Sequence, residues 1–523
     1  MSEPPGGSAR PEAATLRVLL DRRAAEDAAA DFLICPESSR RVGFAALRDA
    51  AAGCARRLSA LGVRPGESVA FALENGYAAV LAVLGCLYGG FRASPVNLAA
   101  GPETLAYVLA HSEARVVLLG RAQEAPIRAA LAGREDLPAL IPCDPDSGPL
   151  WPEDLPEGAL PAAPEAETEG LLIYTSGTTG RPKGVLLTQR SLLAGGRNVA
   201  EAHRLTAADR ALCVLPLYHI NGLCVTVMGP LVSGGSVVMP RGFSASRFWD
   251  QACGQGCTWV SLVPTLFAYL LNLPEAATPP RESLARLRFA RSASAPLAPE
   301  TQLAFESRYG LPVIETLGLT ETAAPVLSNP LPPGRRQPGS PGRAWGNEVR
   351  IADPEQRSLP PGEAGEILVR GPNVMKGYFK DPAATAEALT GSGWLRSGDL
   401  GRMDEAGYVV VTGRLKELII KGGENIAPRE IDEALIAQPA VLEAAAFARP
   451  CPDYGQRVEA CVTLKPGVAA SEAELIAGCI ARVGRFKAPD RVHILADLPK
   501  GPSGKIQRLK LLSLVSGAAA SAI

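Results

Sequence analysis

The segment Tyr174–Val185 has the sequence Y-T-S-G-T-T-G-R-P-K-G-V and combines glycines and hydroxyl side chains with one lysine. It follows the apolar run Leu171–Ile173, which predicts a short buried strand, so we expect a loop that leaves the strand end. Glycines let backbone N–H groups approach an anion, and the Lys183 ammonium adds positive charge. The segment is therefore predicted to bind a polyphosphate, although a flexible surface turn is the alternative. Its spacing differs from that of a Walker A loop.

The composition indicates a globular protein with more than one domain. The chain has 523 residues, 47% of them hydrophobic, and a net charge of −1, so its charge does not indicate nucleic acid or an anionic membrane as a partner. No apolar run approaches the ~18 residues of a membrane-spanning helix. The segment Met1–Ala13 lacks the apolar core of a signal peptide, and eleven unpatterned cysteines indicate reduced thiols. We therefore expect a cytoplasmic protein, and the four dispersed histidines do not have zinc-ligand spacing.

Strands alternate with helices over about residues 14–170. Ser68–Phe71 and Val116–Leu119 are predicted strands, each followed by an Ala/Leu-rich helical stretch. This alternation predicts layered α/β structure with a largely parallel sheet. The pattern continues beyond the glycine-rich segment, with predicted helices at Ser191–His203 and Leu223–Leu231 and predicted strands at Ala211–Leu215, Ser236–Met239 and Trp259–Leu262.

The composition and the predicted elements change twice toward the C-terminus. Prolines and glycines crowd Asn329–Gly346, and short alternating runs such as Glu366–Arg370 predict a small β-rich subdomain. After Gly413, the runs Ile431–Ile436, Val458–Leu464 and Glu472–Val483 predict a compact α+β unit. We therefore expect a large N-terminal domain of layered α/β subdomains and a β-rich subdomain (residues 1–413), a hinge (414–416), and a small, mobile α+β C-terminal domain (417–523).

Five further segments carry the chemistry. They read P-L-Y-H-I-N-G (Pro216–Gly222), T-L-G-L-T-E-T (Thr316–Thr322), W-L-R-S-G-D-L-G (Trp394–Gly401), G-R-L-K-E-L-I-I-K-G-G-E-N-I-A-P-R-E-I (Gly413–Ile431) and L-P-K-G-P-S-G-K-I-Q-R (Leu498–Arg508). Together with the glycine-rich segment, in this order, they resemble the adenylate-forming superfamily of acyl-CoA synthetases, carrier-protein adenylation domains and firefly luciferase. The resemblance extends from about residue 20 to residue 510.

The resemblance implies a reaction that joins a carboxylate to the α-phosphate of ATP. Two anions must meet, so cationic groups are required where they do. Lys505 matches the lysine that bridges the carboxylate and the α-phosphate, Thr320 an α-phosphate donor, and Glu321 the ligand of Mg²⁺. The alternatives are a surface lysine in a Gly/Ser loop for Lys505 and a helix N-cap with a first-turn acid for the Thr-Glu-Thr run.

The resemblance also assigns the nucleotide contacts. Asp399 and Arg414 match ribose contacts, and Leu317 stands where relatives commonly have an aromatic residue that stacks on adenine, so part of the ~0.5–1.5 kcal/mol of stacking is lost. The remaining predicted ATP-binding residues are Thr175, Ser176, Gly177, Thr178, Thr179, Gly180 and Lys183 for the phosphates, and Ser294, Ala295, Pro296, Gly318 and Thr320 around the base and the α-phosphate.

The predicted acyl pocket comprises His219, Asn221, Arg291, Ser292 and Gly318. His219 also borders the predicted thiol tunnel, with a core histidine as the alternative. Asn221 could hydrogen-bond a group of the substrate. Arg291 could pair a second carboxylate or a polar ring substituent, but we favour a surface ion pair for it. Aromatic, fatty, dicarboxylic and polycyclic acids all remain open.

The second half-reaction uses the C-terminal domain. In the family this domain rotates about a hinge, which Lys416 matches, and the glycine pair Gly422–Gly423 matches the wall of a tunnel for pantetheine; a β-turn is the alternative. The chain is predicted to be an AMP-forming acyl-CoA synthetase that uses ATP, Mg²⁺ and coenzyme A, as a monomer or homodimer. A stand-alone enzyme that loads an acyl carrier protein, and a non-catalytic acyl-adenylate binder, are the alternatives.

Overall fold

The computed structural model of the protein describes residues 13–175, 181–323, 325–500 and 506–520. The α-helices are α1 (Leu16–Glu26), α2 (Phe44–Ala60), α3 (Tyr77–Gly89), α4 (Pro102–His111), α5 (Glu124–Leu131), α6 (Gln189–Ala202), α7 (Gly229–Ser233), α8 (Phe248–Gly254), α9 (Pro264–Leu271), α10 (Arg281–Leu284), α11 (Pro299–Tyr309), α12 (Pro382–Ala388), α13 (Pro428–Ile436), α14 (Glu472–Lys487) and α15 (Leu511–Ala520). A π-helix spans Asn221–Met228, and short 3₁₀ turns include Thr320–Thr322 and Leu415–Glu417.

The strands are β1 (Asp31–Cys35), β2 (Arg40–Gly43), β3 (Ser68–Ala72), β4 (Arg92–Pro95), β5 (Ala114–Gly120), β6 (Ala139–Asp144), β7 (Gly148–Pro149), β8 (Glu169–Thr175), β9 (Lys183–Thr188), β10 (Arg210–Leu212), β11 (Ser236–Val238), β12 (Trp259–Leu262), β13 (Phe289–Ser292), β14 (Val313–Gly318), β15 (Pro325–Ser328), β16 (Arg343–Ala344), β17 (Glu348–Ala352), β18 (Ala364–Arg370), β19 (Gly377–Tyr378), β20 (Leu395–Met403), β21 (Val409–Arg414), β22 (Ile419–Lys421), β23 (Glu424–Ile426), β24 (Val441–Cys451), β25 (Gly455–Leu464) and β26 (Arg491–Ile494).

Two large sheets form the layers of the N-terminal domain. One has the order β19-β9-β8-β4-β3-β5-β6-β7 and the other the order β16-β15-β14-β13-β12-β10-β11-β1-β2. The central strands of both sheets pair in parallel and only the edges pair antiparallel, so the predicted parallel α/β layering is confirmed. Helix α3 is buried along its whole length, and the largest core cluster takes residues from both sheets. The apolar interior thus fixes the two sheets relative to each other.

Two smaller sheets follow. Strands β17, β18, β20 and β21 form an antiparallel four-stranded sheet, which confirms the β-rich subdomain. In the C-terminal domain, β23, β22, β25, β24 and β26 form a mixed sheet, and α13 and α14 pack together beside it. This domain has its own core of Ile, Val, Leu and Ala side chains, as the prediction of a separate α+β domain requires.

Two local predictions need correction. The glycine-rich segment was predicted to be a loop from Tyr174 onward, but β8 continues to Thr175 and β9 begins at Lys183, and these two residues pair across an antiparallel hairpin. The predicted helix Leu223–Leu231 is helical but changes type, from the π-helix to α7 at Gly229. In both places tertiary packing, rather than local composition, sets the backbone.

All eleven cysteines lie in the described part of the chain and are free thiols, nine of them buried. Burial disfavours the thiolate form of a cysteine; it raises the pKa of the Cys54 thiol, for example, to about 12. Within the described residues, no helix combines the length and the apolarity that a bilayer crossing demands.

Candidate active site

A cleft with a volume of about 270 Å³ lies between the N-terminal and C-terminal domains. One wall includes Ser294, Ala295, Pro296, Thr316, Leu317, Gly318 and Asp399 of the N-terminal domain, and Arg414 at the start of the predicted hinge. The opposite wall includes Pro428, Arg429, Asp432, Glu433, Ile506 and Arg508. The predicted adenine and ribose residues come from four separate segments of the sequence, and the fold brings them to this one cleft.

One arginine of the C-terminal domain contacts the N-terminal domain beside the cleft. Arg429 donates from Nη1 to the carbonyl oxygen of Val411 at 2.7 Å and from Nη2 to that of Gly339 at 3.3 Å. Charged donors make stronger hydrogen bonds than neutral ones, so these two contacts stabilise the present arrangement of the two domains. Arg508, which also lines the cleft, pairs with Asp432 at 2.6 Å and with Glu417 at 3.3 Å inside the C-terminal domain.

The predicted ribose contacts form an ion pair. Asp399 on β20 and Arg414 on β21 are directly opposite each other in the antiparallel ladder, and Arg414 Nε lies 2.7 Å from Asp399 Oδ1. The Asp399 carboxylate raises the pKa of Arg414, so the guanidinium stays charged. The pair holds a carboxylate in place at the cleft wall, where it can accept hydrogen bonds from a vicinal diol.

The predicted adenine wall is built from small residues and one leucine. Ser294 follows β13 and has a positive φ of 72°. Leu317 lies on β14, where it lines the cleft and also packs against the core of the four-stranded sheet. An aliphatic side chain therefore occupies the wall position predicted to face the base.

The predicted phosphate and metal residues meet at one tyrosine. Tyr378 Oη donates to Glu321 Oε1 at 2.9 Å, and Lys183 Nζ lies 4.9 Å from the centroid of the Tyr378 ring. Burial and the Glu321 carboxylate raise the pKa of Tyr378, so its hydroxyl stays protonated and donates. Glu321 and Thr320 lie in the 3₁₀ turn Thr320–Thr322. Leu319 N donates to the Thr322 hydroxyl at 3.0 Å, so a local capping contact is present, and the predicted roles of Thr320 and Glu321 stay predictions.

Arg291 is not the surface ion-pair residue that we favoured. It lies on β13, a central strand covered on both faces, and is only 2% exposed. Its Nη1 donates to Asn221 Oδ1 at 2.9 Å and to Ser261 Oγ at 3.1 Å, while Nε has no partner. Burial lowers the pKa of Arg291 to about 9. No carboxylate of the described residues forms an ion pair with it, so the charge is buried without a counter-ion.

The other predicted pocket residues are dispersed around this arginine. Asn221 Nδ2 donates to Ser294 Oγ at 3.2 Å, which links Arg291 to the cleft. His219 is largely buried, its Nε2 has no partner, and burial lowers the pKa of His219 to about 4, so the ring is neutral at pH 7. Ser292 is fully buried with an unpartnered Oγ, and Gly318 lines the cleft.

The predicted hinge and tunnel residues lie on the C-terminal side. Lys416 is exposed within the 3₁₀ turn Leu415–Glu417, which directly follows β21. Gly422 and Gly423 form the two-residue turn of the β22–β23 hairpin, with φ values of 60° and 86°. Two successive positive φ values are typical of a type I′ turn, so the β-turn alternative is confirmed, and the turn remains compatible with a tunnel wall.

Some predicted residues lie outside the described ones, namely Ser176, Gly177, Thr178, Thr179, Gly180 and Lys505. Within the residues described, no group of three or more His, Cys, Asp and Glu side chains could hold a metal ion without a further ligand.

Sequence reasoning missed two residues. Tyr378 contacts Glu321 across 57 positions, and no spacing rule connects them. Glu315 precedes the T-L-G-L-T-E-T motif by one residue, lines the cleft, and accepts from Leu297 N at 3.1 Å. Burial raises the pKa of Glu315 to about 7. The signal for Glu315 was a carboxylate inside an otherwise apolar strand run.

Comparison with known proteins agrees with this geometry. The family model described as AMP-binding enzyme matches residues 20–379, and the model described as AMP-binding enzyme C-terminal domain matches residues 430–505. The chain is 49% identical over 502 residues to a sulfoacetate–CoA ligase of Cupriavidus necator, covering 95% of this chain and 97% of the relative.

Further relatives carry the same activity in their names. An oxalate–CoA ligase of Arabidopsis thaliana is 35% identical, covering 87% of this chain and 89% of the relative. The crystal structure of ATP-bound MatB from Rhodopseudomonas palustris superposes with a TM-score of 0.87 at 31% identity, covering 96% and 99% of the two chains. This protein therefore belongs to the AMP-binding, adenylate-forming enzyme family and is an ATP-dependent acyl-CoA synthetase, an AMP-forming acid–thiol ligase.

Proposed function

We propose that this acyl-CoA synthetase activates a short carboxylic acid that carries a second anionic group, a sulfonate or a carboxylate, and that Arg291 binds that group. The observation that supports the proposal most strongly is the buried guanidinium of Arg291, which has no carboxylate partner among the described residues. A charge buried without an opposite charge costs several kcal/mol. An anionic substrate would supply the missing partner, and this gain would be available only to acids that bear the second charge.

The surroundings of Arg291 add to the argument. His203, fully buried, has no partner on either ring nitrogen, and burial together with the Arg291 charge lowers the pKa of His203 to about 3. The ring is therefore neutral, and it does not balance the charge of Arg291. Asn221 accepts from both Arg291 and Ser261 and donates to Ser294 at the cleft. This chain of hydrogen bonds connects the arginine with the place where the carboxylate is activated.

The names of two relatives point the same way. Sulfoacetate carries a sulfonate and a carboxylate, and oxalate carries two carboxylates. The planar guanidinium presents a fork of N–H donors that can bind two oxygens of a carboxylate, or of a tetrahedral sulfonate, at once. The shared chemistry of these acids, rather than either acid alone, is what we carry over to this chain.

The proposal is tested by measuring pyrophosphate release over a panel of acids, each with and without CoA. We expect the highest kcat/KM among short acids with two anionic groups, such as sulfoacetate, oxalate and malonate. Acetate and propionate serve as matched acids without the second charge, and benzoate and a long-chain fatty acid as bulky ones. A preference for the singly charged or bulky acids would contradict the proposal.

We assign the other residues of the first half-reaction from the family, and the positions of those that the structure describes support the assignment. The glycine-rich loop and Lys183 would hold the β- and γ-phosphates, the Ser294–Pro296 segment and Leu317 the adenine, and Asp399 with Arg414 the ribose. A substrate carboxylate oxygen attacks the α-phosphorus, and the bond to the departing pyrophosphate breaks. Lys505 would balance the charge of the two anions that meet there.

We also propose that Mg²⁺ accompanies ATP at Glu321. The donor set fits this ion, because Mg²⁺ is commonly bound through one or two carboxylates together with substrate phosphates rather than by an all-protein cage. Glu321 presents one carboxylate, and the Thr320 hydroxyl lies in the same turn. When bound, the ion neutralises phosphate charge during the transfer.

In the second half-reaction the CoA thiol attacks the carbonyl carbon of the acyl-adenylate, and AMP leaves. The proposed domain boundary is the segment 414–416, with Lys416 as the hinge. The Gly422–Gly423 turn would border the pantetheine arm after rotation. One active site then serves two reactions in sequence.

Gly423→Leu is expected to reduce thioester formation while carboxylate-dependent ATP–pyrophosphate exchange persists. An added Cβ at Gly423 meets no atom within 4 Å in the present arrangement, so the side chain obstructs only the rotated state. The two half-reactions are measured separately, as exchange and as CoA consumption.

Gly467→Leu is the matched control. Gly467 lies in the same domain, has a φ of 74° and is equally open, so leucine there carries a similar backbone strain. Equal loss of thioester formation in both variants, or normal CoA kinetics in Gly423→Leu, would refute the tunnel assignment.

A further inference from the structure

Tyr378 contacts both charged groups that are proposed to act on the phosphates. Its hydroxyl donates to Glu321 Oε1 at 2.9 Å, and its ring faces Lys183 Nζ at 4.9 Å. Tyr378 lies on β19, which pairs with β9, the strand that begins at Lys183. Its neighbour in the register is Val185, two positions from Lys183 and on the same face of the strand. The sheet therefore fixes the ring beside the lysine.

The segment that carries Tyr378 is also tied to the turn that carries Glu321. Met375 N donates to the carbonyl oxygen of Glu321 at 2.8 Å, and Asn373 Nδ2 donates to that of Thr322 at 2.7 Å. The Asn373 side chain is buried, so the segment that carries Tyr378 contacts the turn that carries Glu321 directly. The contact between Tyr378 and Glu321 thus rests on three hydrogen bonds rather than on one side-chain rotamer.

The two charged groups do not pair with each other. Among the described residues, Lys183 and Glu321 lie beyond ion-pair distance, and the Tyr378 side chain contacts each of them. An ammonium and a carboxylate near a polyphosphate site attract each other, and an ion pair between them would compete with phosphate and metal. A tyrosine satisfies the two partners differently: its hydroxyl binds the carboxylate, and its ring face attracts the cation.

We infer that Tyr378 is a positioning residue that orients the Glu321 carboxylate toward Mg²⁺ and holds Lys183 apart from it, so that both groups stay available to MgATP. The inference rests on the proposed role of Glu321 as the metal ligand. Outer hydrogen-bond partners that orient a metal ligand typically contribute about 10–100-fold to metal affinity or activity. Tyr378 touches the proposed ligand and not the reacting atoms, so its effect reaches the chemistry through Glu321 and Lys183.

The test uses Mn²⁺ as a paramagnetic probe, because its binding to the full-length enzyme with ATP is read by electron paramagnetic resonance without turnover. Tyr378→Phe removes the hydroxyl and keeps the ring. We expect the Mn²⁺ concentration at half-saturation to rise about tenfold or more, while the affinity for metal-free ATP is unchanged. The exchange rate should recover at high Mg²⁺, and the KM for the acid should not move.

Tyr378→Leu removes the ring as well. We expect it to weaken metal-free ATP binding in addition, because Lys183 can then pair with Glu321. An equal metal response in Tyr378→Phe and the parent enzyme, or a loss of kcat at every Mg²⁺ concentration, would overturn the inference.

Two control variants distinguish a failure of the metal assignment of Glu321 from a failure of the role inferred for Tyr378. Tyr88→Phe removes a tyrosine hydroxyl that donates to a carboxylate, Asp21, at 2.7 Å in the packing of α1 and α3, and it should leave the Mn²⁺ titration unchanged. Glu321→Gln tests the metal role itself. If Glu321→Gln does not weaken Mn²⁺ binding, the assignment of Glu321 fails; if it does and Tyr378→Phe does not, the role of Tyr378 alone fails.

Discussion

Replacing Arg291 by methionine is expected to lower kcat/KM for a doubly anionic acid by about 100-fold. Truncating one partner of a buried charge pair costs about 2–5 kcal/mol, and about 1.4 kcal/mol is a factor of ten. Methionine keeps much of the volume and removes the charge together with the hydrogen bonds from Nη1 to Asn221 and Ser261. Activity toward acetate or propionate should be unchanged or higher, because those acids present no second anion. The measurement is the ratio of kcat/KM for sulfoacetate and propionate in the variant and the parent enzyme.

The same variant should not lose stability. Folding lowers the pKa of Arg291 to about 9, which means that the charged form is less favourable in the folded protein than in the unfolded chain. This unfavourable contribution is present at pH 7, below the folded pKa, and it diminishes as the pH rises through that value. Ser261 Oγ continues to donate to Asn221 Oδ1 at 3.1 Å. We therefore expect a Tm equal to or above that of the parent enzyme when no ligand is bound.

Arg288→Met is the matched control for this prediction. Arg288 directly precedes β13, and its Nη1 pairs with Asp209 at 2.5 Å, so it is the ordinary ion-pair arginine that Arg291 is not. Its replacement should lower the Tm and leave the acid preference unchanged. A fall in Tm without a change of acid preference in Arg291→Met would show a structural role and would count against the proposed substrate class.

Lys505→Ala is expected to reduce carboxylate-dependent ATP–pyrophosphate exchange by about 10²–10³-fold, as for the loss of one preorganised donor to a developing charge. Thioester formation from a preformed acyl-adenylate should stay close to the parent rate, because that step no longer joins two anions. The two assays separate the half-reactions. The next described residue, Ile506, lines the same cleft as Asp399 and Arg414, the two proposed ribose contacts.

Lys500→Ala supplies the control for Lys505→Ala. Lys500 lies five positions earlier and is held by Glu443 at 2.8 Å and by Asp497 at 2.7 Å. Its loss should lower stability without separating the half-reactions. An equal loss of both half-reactions in Lys505→Ala would argue against the assigned role.

The sequence predicts regular elements well where periodicity and composition agree. Trp259–Leu262 is a strand with the predicted bounds, and Glu472–Val483 lies within α14. Prediction from the sequence fails where tertiary packing determines whether a residue is buried. The run Phe289–Ser292 was not recognised as a strand, so the arginine in it was interpreted as a surface residue. Only its place between β12 and β14 in a sheet covered on both faces shows that it must be buried.

In the candidate site, too, some residues are predicted from the sequence and others are not. Motif spacing predicts roles for Glu321, Asp399 and Arg414 because each lies in a segment of characteristic composition. Tyr378 lies in no such segment, and its contact with Glu321 depends on the pairing of β19 with β9. A contact between distant segments is a property of sheet order, which local patterns do not specify.

The position of Arg414 has a mechanical consequence. It closes β21 opposite Asp399 and is the first residue of the proposed hinge segment 414–416. A rotating body displaces each of its points in proportion to the distance from the pivot. If the C-terminal domain rotates as proposed, the proposed ribose contacts lie almost on the pivot and stay nearly still, whereas the Gly422–Gly423 turn travels on a longer arm. AMP would then keep the same ribose contacts through both half-reactions while the surfaces of the C-terminal domain that face it are exchanged.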